Sequence, residues 1–237
     1  MVWQSGIYPY PSSACGPWLC HVPAKIAMQS EFKVAEFFYR QAARGPMERF
    51  AREWCTNLSL LKASQAKKCV AGLKEQFPGA EALIDELFPP KGEVSLVKCK
   101  NYIQLLVSTL PAGSAHNTGT KPVKRIVFWN IRDGPWIPTL RLLQRYPTLL
   151  PVLLTDASCP KFILQGAQMM APGIHQMDQD LPRGAIVSVS IQGAPPFYIG
   201  RLTQAGKEIM AEGRHEQAVE TLNIIGDGFW EYGDDYK

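Results

Sequence analysis

The sequence predicts an α+β protein made of two units: an α/β unit over residues 47–154, then a small mixed β-barrel over residues 155–237. Three observations carry this expectation. Apolar residues at helical spacing from Leu58 onward precede a block of strand-like segments. Short alternating segments bounded by Gly and Pro fill the last part of the chain, Ala185–Ile191 most cleanly. The charge divides at the same place: residues 47–154 hold fifteen Lys/Arg against eight Asp/Glu (+7), whereas residues 155–237 hold six against eleven (−5).

In the first unit, Leu58, Leu61, Cys69, Val70, Leu73 and Phe77 fall on one side of a helix that starts at Leu58, with Lys67 and Lys74 facing away. Pro78-Gly79 ends it. A second helix spans Ala80–Phe88 and turns Leu83, Ile84, Leu87 and Phe88 inward. Strands follow at Val94–Cys99, Tyr102–Ser108 and Arg125–Ile131. Between the last two, Thr109–Val123 is rich in Gly, Ser, Thr and Pro and reads as a mobile surface insertion. A short helix over Thr139–Tyr146 stops before Pro147, and Leu149–Leu154 leads to the second unit.

That unit opens with a short helix, Pro160–Gln165, ended by Gly166. Gln168–Ala171 reads as a strand and Pro172-Gly173 as a turn. Along Ala185–Ile191, Val187, Val189 and Ile191 share one face, and Ser188 and Ser190 the other. Phe197–Leu202 is the next strand. Thr203 is placed to cap a helix running to Ala211, and Val219–Ile225 and Phe229–Tyr232 complete the strands.

Several classes of protein are disfavoured. No apolar run reaches the ~18 residues of a membrane span. Pro9, Pro11 and Pro17 interrupt the N-terminus, which reads as a poor secretory signal, and Glu31 and Glu36 argue against a transit peptide. Residues 1–46 read as an extension: a tail, or a stretch ahead of a true start at Met28 or Met47. The six cysteines are scattered, and only Cys15 and Cys20 lie close together, so a zinc site lacks its second pair. Dispersed thiols suit a reduced cytosolic compartment. His21, His116, His175 and His215 are also dispersed, with no nucleophile setting beside them, and no Gly-rich phosphate loop is present. A non-enzymatic protein without cofactor or metal is expected.

The most informative string is Leu164-Gln165-Gly166-Ala167-Gln168-Met169-Met170-Ala171-Pro172-Gly173-Ile174. Gly166 permits a left-handed helix end, and its missing side chain lets a nucleic-acid backbone come close. Pro172-Gly173 fixes a tight turn beside it. The string resembles the signature of PUA domains, which bind structured RNA in pseudouridine synthases, archaeosine transglycosylases and translation factors. Gly226-Asp227-Gly228-Phe229-Trp230 resembles the last strand of that domain. Glu75-Gln76-Phe77-Pro78-Gly79 and the segment from Asp133 to Pro147 resemble the pre-PUA domain of the malignant T-cell-amplified-sequence family, as does the closing Tyr236-Lys237. The likeness runs from about Met47 to Lys237. It departs in the longer insertion at Thr109–Val123, in an expanded Gly213–Glu220, and in residues 1–46.

The resemblance implies an RNA-binding translation factor on the small ribosomal subunit, acting in initiation, reinitiation and release of used tRNA. It also implies a partner like density-regulated protein, because the related ligatin carries further domains after its PUA unit. The alternative is an accessory factor of ribosome biogenesis or RNA modification. The residues expected at RNA are Lys98, Lys100, Lys124, Arg125, Arg132, Arg141 and Arg145 in the first unit, and Gly166, Ala167, Pro172, Gly173 and Ile174 in the second. Lys98 and Lys100 alternate on one strand and so share a face; Arg141 and Arg145 lie four apart on a helix and point the same way. Trp136 is a candidate for base stacking, with packing between the units the stronger reading. A basic first unit beside an acidic second one fits a polyanion partner, and fits a merely basic surface equally well.

Overall fold

The computed structural model describes residues 47, 50–90, 92–211, 213, 215–233, 235 and 236. The expectations for residues 1–46, including Cys15 and Cys20, and for Lys237 lie outside the described residues. Among those described, no helix is long and apolar enough to cross a membrane.

The first unit is an antiparallel meander of five strands in sequence order: β1 (Cys55–Leu60), β2 (Val94–Cys99), β3 (Ile103–Leu110), β4 (Val123–Ile131) and β5 (Ile137–Pro138). Helices α1 (Ala63–Gln76) and α2 (Glu81–Leu87) fall between β1 and β2, and α3 (Leu140–Arg145) follows β5. The helical reading from Leu58 is corrected here. Residues 55–60 form an edge strand paired with β2, Leu58 facing Val97, and the helix begins only at Ala63. The inner stripe of α1 is correspondingly narrower than expected: Leu73 and Phe77 at the helix end are buried, whereas Leu58 is exposed. Thr139 caps α3 by accepting the Leu142 N–H at 3.2 Å.

The insertion between β3 and β4 lies on the surface as expected, anchored by two buried residues. Asn117 is buried, and its Nδ2 reaches the carbonyls of Leu110, Pro111 and Lys121 while its Oδ1 accepts the Gly119 N–H. His116 is only 4 % exposed. The Asn117 amide adds to the segment's own backbone bonds, such as the Gly113 N–H to the Gly119 carbonyl at 3.2 Å and the Asn117 N–H to the Ser114 carbonyl at 3.0 Å.

The second unit contains β6 (Val152–Thr155), α4 (Cys159–Leu164), β7 (Met169–Met170), β8 (Ile174–Gln176), β9 (Ile186–Ile191), β10 (Tyr198–Leu202), α5 (Gly206–Ile209), β11 (Gln217–Ile224) and α6 (Gly228–Tyr232). Its sheet order is β7-β11-β10-β9-β6-β8, with β6 and β9 parallel and the other neighbours antiparallel. The two edge strands, β7 and β8, are separated in sequence only by Ala171–Gly173. So short a link forces the edges together, and the sheet curls into a nearly closed barrel. Burial on β9 is two-sided: Val187 and Val189 are buried, and so are Ser188 and Ser190, with the Ser188 N–H donating to the Pro151 carbonyl at 2.9 Å. The helix expected from Thr203 to Ala211 shrinks to α5, because the Thr203 hydroxyl turns to the Gln217 carbonyl and Glu208 instead receives the Ala205 N–H.

The end of the chain departs most from expectation. Residues 228–232 form helix α6, not a strand. Asp227 dictates this: its Oδ1 accepts the Trp230 N–H at 2.8 Å, and its Oδ2 accepts the Ile224 N–H at 3.0 Å and the Asn223 amide at 2.6 Å. The helix lies on the first unit. Phe229 stands edge-on to Phe50, with ring centroids 5.0 Å apart, and to Trp129 at 6.1 Å; Tyr232 meets Phe50 at 5.3 Å. The main core accordingly joins Met47, Phe128 and Trp129 to Leu222 and Phe229.

Candidate nucleic-acid interface

The basic residues of the first unit separate into two groups at opposite ends of its sheet. Lys98, Lys100 and Arg132 gather where β2 turns into β3. Lys98 lies opposite Gln104, and the Arg132 N–H donates to the Tyr102 carbonyl at 2.9 Å. Lys124 and Arg125 start β4, opposite Thr109 and Ser108. Arg125 and Arg132 are seven residue steps apart along β4 and its end, or roughly 23 Å at the usual rise. No single phosphate run along one edge joins all seven cations.

Within the first group the geometry differs from the expected shared face. β2 ends at Cys99, and Lys100 opens a tight turn in which Asn101 and Tyr102 adopt φ of 59° and 60°. Lys98 and Lys100 are both exposed, but the backbone turns between them. Arg132 is exposed and lies over the Tyr102 ring, its Cζ 4.9 Å from the centroid. Nearby, Asp133 accepts the Gln104 amide at 2.7 Å.

In the second group two arginines are structural. Arg125 binds Asp235 through Nε and Nη2, each 3.2 Å from Oδ1, and donates from Nη1 to the His116 carbonyl at 2.9 Å. Beside it the Lys124 carbonyl accepts the Tyr236 N–H at 2.8 Å. Arg141 lies over the Trp230 indole at 4.1 Å and donates to the Trp230 carbonyl at 3.1 Å. Arg125 and Arg141 therefore fasten residues 230–235 to the first unit. Arg145 is exposed and, unlike Arg141, faces water.

Trp136 packs against the main core. Its backbone is held by Gln76, which accepts the Trp136 N–H at 2.9 Å and donates to its carbonyl at 2.6 Å. That reciprocal pair ties the end of α1 to the Gly134-Pro135-Trp136 segment.

In the second unit, Gly166 has φ of +90°, and its N–H closes α4 on the Ile163 carbonyl at 2.9 Å. Ala167 and Pro172 are exposed next to it. Ile174 does not belong with them: it is 1 % exposed and fills the barrel core, so its side chain is unavailable to RNA. Gly173 has no positive φ, and a Cβ there would meet Met169 Sδ at an ordinary 3.7 Å. Its carbonyl accepts the Thr155 hydroxyl at 2.7 Å. Two residues missed in the sequence flank the Gly166 turn: Phe162, 55 % exposed, and Met170, 40 % exposed. Their signal was an outward position on a short helix and on an edge strand, which periodicity over so few residues does not reveal. His175, nearby in sequence, is exposed and paired with Asp156 at 2.9 Å. Among the described residues no cluster of three or more His, Cys, Asp or Glu is placed to hold a metal ion.

A helix-flanked antiparallel meander, followed by a nearly closed barrel with a left-handed Gly166 at its first helix end, defines a pre-PUA plus PUA protein. Residues 52–147 match the Pre-PUA-like domain family, and residues 150–228 match the family described as eIF2D, PUA domain. The chain is 31 % identical over 179 residues to the Malignant T-cell-amplified sequence 1 homolog of Drosophila melanogaster, covering 74 % of this chain and 91 % of that protein. It is 33 % identical over 175 residues to the homolog of Dictyostelium discoideum (72 % and 88 % covered). It is 29 % identical over 192 residues to Translation machinery-associated protein 20 of Saccharomyces cerevisiae (78 % and 97 % covered). The chain belongs to the malignant T-cell-amplified sequence family. Its fold is also that of a hypothetical protein from Pyrococcus horikoshii, with a TM-score of 0.55 at 22 % identity over 74 % of this chain and 99 % of that one.

Proposed function

We propose that this chain is a non-enzymatic RNA-binding translation factor that acts on the small ribosomal subunit in initiation, reinitiation and tRNA release. The observation that supports this reading best is the family relation: the matched segment spans nearly the whole of relatives that include one named for association with the translation machinery. The division of labour follows from charge. The first unit supplies electrostatic attachment to ribosomal RNA through Lys98, Lys100, Arg132 and Arg145. The second unit, net negative, supplies shape recognition of a folded RNA such as tRNA. There Gly166, Ala167, Pro172 and Gly173 let backbone approach backbone, and the exposed Phe162 ring offers a stacking face. A density-regulated-protein-like partner supplies functions that these two domains lack, and the protein works in the cytoplasm.

Sedimentation of cytoplasmic extract on sucrose gradients tests this reading. The full chain is expected with small subunits at low salt and free at high salt. Confinement to pre-ribosomal particles, or absence from every ribosomal fraction at low salt, would overturn it.

A further inference from the structure

Two tight turns meet at the end of the first sheet, where β2 passes into β3 and β4 ends. In the turn Lys100-Asn101-Tyr102-Ile103, the Ile103 N–H closes on the Lys100 carbonyl, and both central residues hold positive φ, 59° at Asn101 and 60° at Tyr102. In the turn Ile131-Arg132-Asp133-Gly134, the Gly134 N–H closes on the Ile131 carbonyl at 3.0 Å, with φ of 53° at Arg132 and 56° at Asp133. Positive φ at both central positions is the pattern of a type I′ turn, whose second central position favours glycine. Asn101 suits its place. Tyr102 does not, because a Cβ in the left-handed region crowds the following carbonyl. A bulky ring kept there at a backbone cost calls for a use outside the fold.

The ring is available for one. Tyr102 is 70 % exposed, more than any other large apolar side chain among the described residues. Pairing of Ile103 with Ile131 brings Arg132 beside Tyr102. The Arg132 guanidinium covers one face of the ring, its Cζ 4.9 Å from the centroid. With so much of the residue exposed, the opposite face is open to water. The backbones are tied as well, since the Arg132 N–H donates to the Tyr102 carbonyl at 2.9 Å. The ring is therefore braced before any ligand arrives and has little freedom to lose on binding. Lys98 and Lys100, both exposed, precede it in the chain. Asp133, the acid of the second turn, accepts the Gln104 amide at 2.7 Å.

We propose that Tyr102 is a stacking platform for one unpaired base of ribosomal RNA, which lies on the open ring face while Arg132 backs the other. An open aromatic face among the exposed cations Lys98, Lys100 and Arg132 suits a strand that alternates flat rings with phosphates. The proposal rests on the reading that the first unit meets RNA, and it narrows that reading. Bases inside a duplex are stacked on one another, so the target is a loop, a bulge or a strand end. Every base has a flat face, so the contact does not select a sequence.

Two measurements on the full chain test this. In the first, binding to small ribosomal subunits is measured against salt. Tyr102→Gly relieves the strained position, so its melting temperature is expected to stay at or above that of the unsubstituted chain. Its affinity is expected to fall about five-fold or more, the loss of one stacked base, with the slope of log affinity against log salt unchanged because no phosphate contact is lost. Tyr102→Phe keeps the ring and is expected to bind like the unsubstituted chain. In the second, the Tyr102 ring protons are followed by NMR at low salt. A short oligoadenylate is expected to move them upfield, and neither an abasic strand of the same length nor a blunt duplex is expected to do so. Unchanged subunit affinity in Tyr102→Gly overturns the platform. A loss of affinity that comes with a lower melting temperature, or that Tyr102→Phe shares, also overturns it. A loss of affinity without any shift by oligoadenylate assigns the ring to a protein of the subunit and overturns it too. If Lys98→Glu lowers the salt slope and Tyr102→Gly leaves affinity intact, RNA contact by the first unit stands and only the platform falls. If neither variant changes subunit binding, both fall.

Discussion

Arg141 lies flat on the indole of Trp230, its Cζ 4.1 Å from the ring centroid, and donates to the carbonyl of the same residue. One side chain thus holds helix α6 to helix α3 by a cation–π contact and a charge-assisted hydrogen bond. Arg141→Ala is expected to lower unfolding stability by about 2 kcal/mol, and Arg141→Lys, which keeps the cation but loses the planar stack, by about 1 kcal/mol. Urea unfolding followed by tryptophan fluorescence measures both. A loss under about 0.5 kcal/mol for the alanine variant, the usual scatter of an uninvolved surface site, would remove the clamp.

Lys98 and Lys100 are exposed cations free of the structural ties that hold Arg125. Charge reversal at either is expected to reduce the salt slope of subunit binding by about 0.7–0.9 and leave the melting temperature nearly unchanged. Arg125→Glu is expected to do the opposite first, lowering the melting temperature by setting a carboxylate against Asp235. An unaltered slope in both lysine variants excludes that end of the sheet from the footprint.

Gly166 and Gly173 separate by backbone. Gly166, at φ +90°, is expected to lose about 1 kcal/mol or more on substitution by Ala, whereas Asn tolerates the left-handed region better. Gly166→Asn should therefore fold at least as well as Gly166→Ala yet bind RNA less well, because it adds a larger group at the turn proposed to meet the RNA backbone. Equal or better binding by the Asn variant shows that the glycine serves only the helix end. Gly173→Ala should change stability by less than about 0.5 kcal/mol, since its Cβ meets Met169 Sδ at 3.7 Å.

Burial pushes the Asp227 carboxyl up from the ordinary 3.8 to about 6, against the lowering effect of the N–H groups that it accepts. The sign follows from proton binding. Between pH 4 and 6 the native state holds a proton that the unfolded chain has released, so this group's contribution is complete below about pH 4 and is lost as pH rises through 6. The full amount is on the order of 3 kcal/mol. Asp227→Asn removes this titration, so the stability difference between wild type and variant should fall across that window in denaturant titrations at stepped pH. A difference independent of pH from 4 to 7 refutes the raised carboxyl.

Much of the architecture was legible because it is local. β9 announces itself by alternation, and Gly166 by helix-end chemistry. β1 was not legible: an edge strand whose residues after Cys55 are all exposed has no apolar face to display. The roles of Arg125 and Arg141 could not be read, because their partners Asp235 and Trp230 lie 110 and 89 residues further along the chain. α6 misled for a different reason. Phe229 and Trp230 have strand propensity, and only the Asp227 cap, visible as an acid just before Gly228, overrides it.

The attachment of α6 to the first unit bears on how the chain is made. The aromatic cluster around Phe50 and Trp129 receives Phe229 and Tyr232 from beyond every strand of the second unit. Until those residues have left the ribosome that makes them, the first unit waits with part of its apolar interior open to water. Emergence of α6, not emergence of the first unit, is the event that completes that interior. An early stop just before α6 would leave every strand of both sheets in place and still produce a first unit with an uncovered aromatic floor, prone to association with its neighbours.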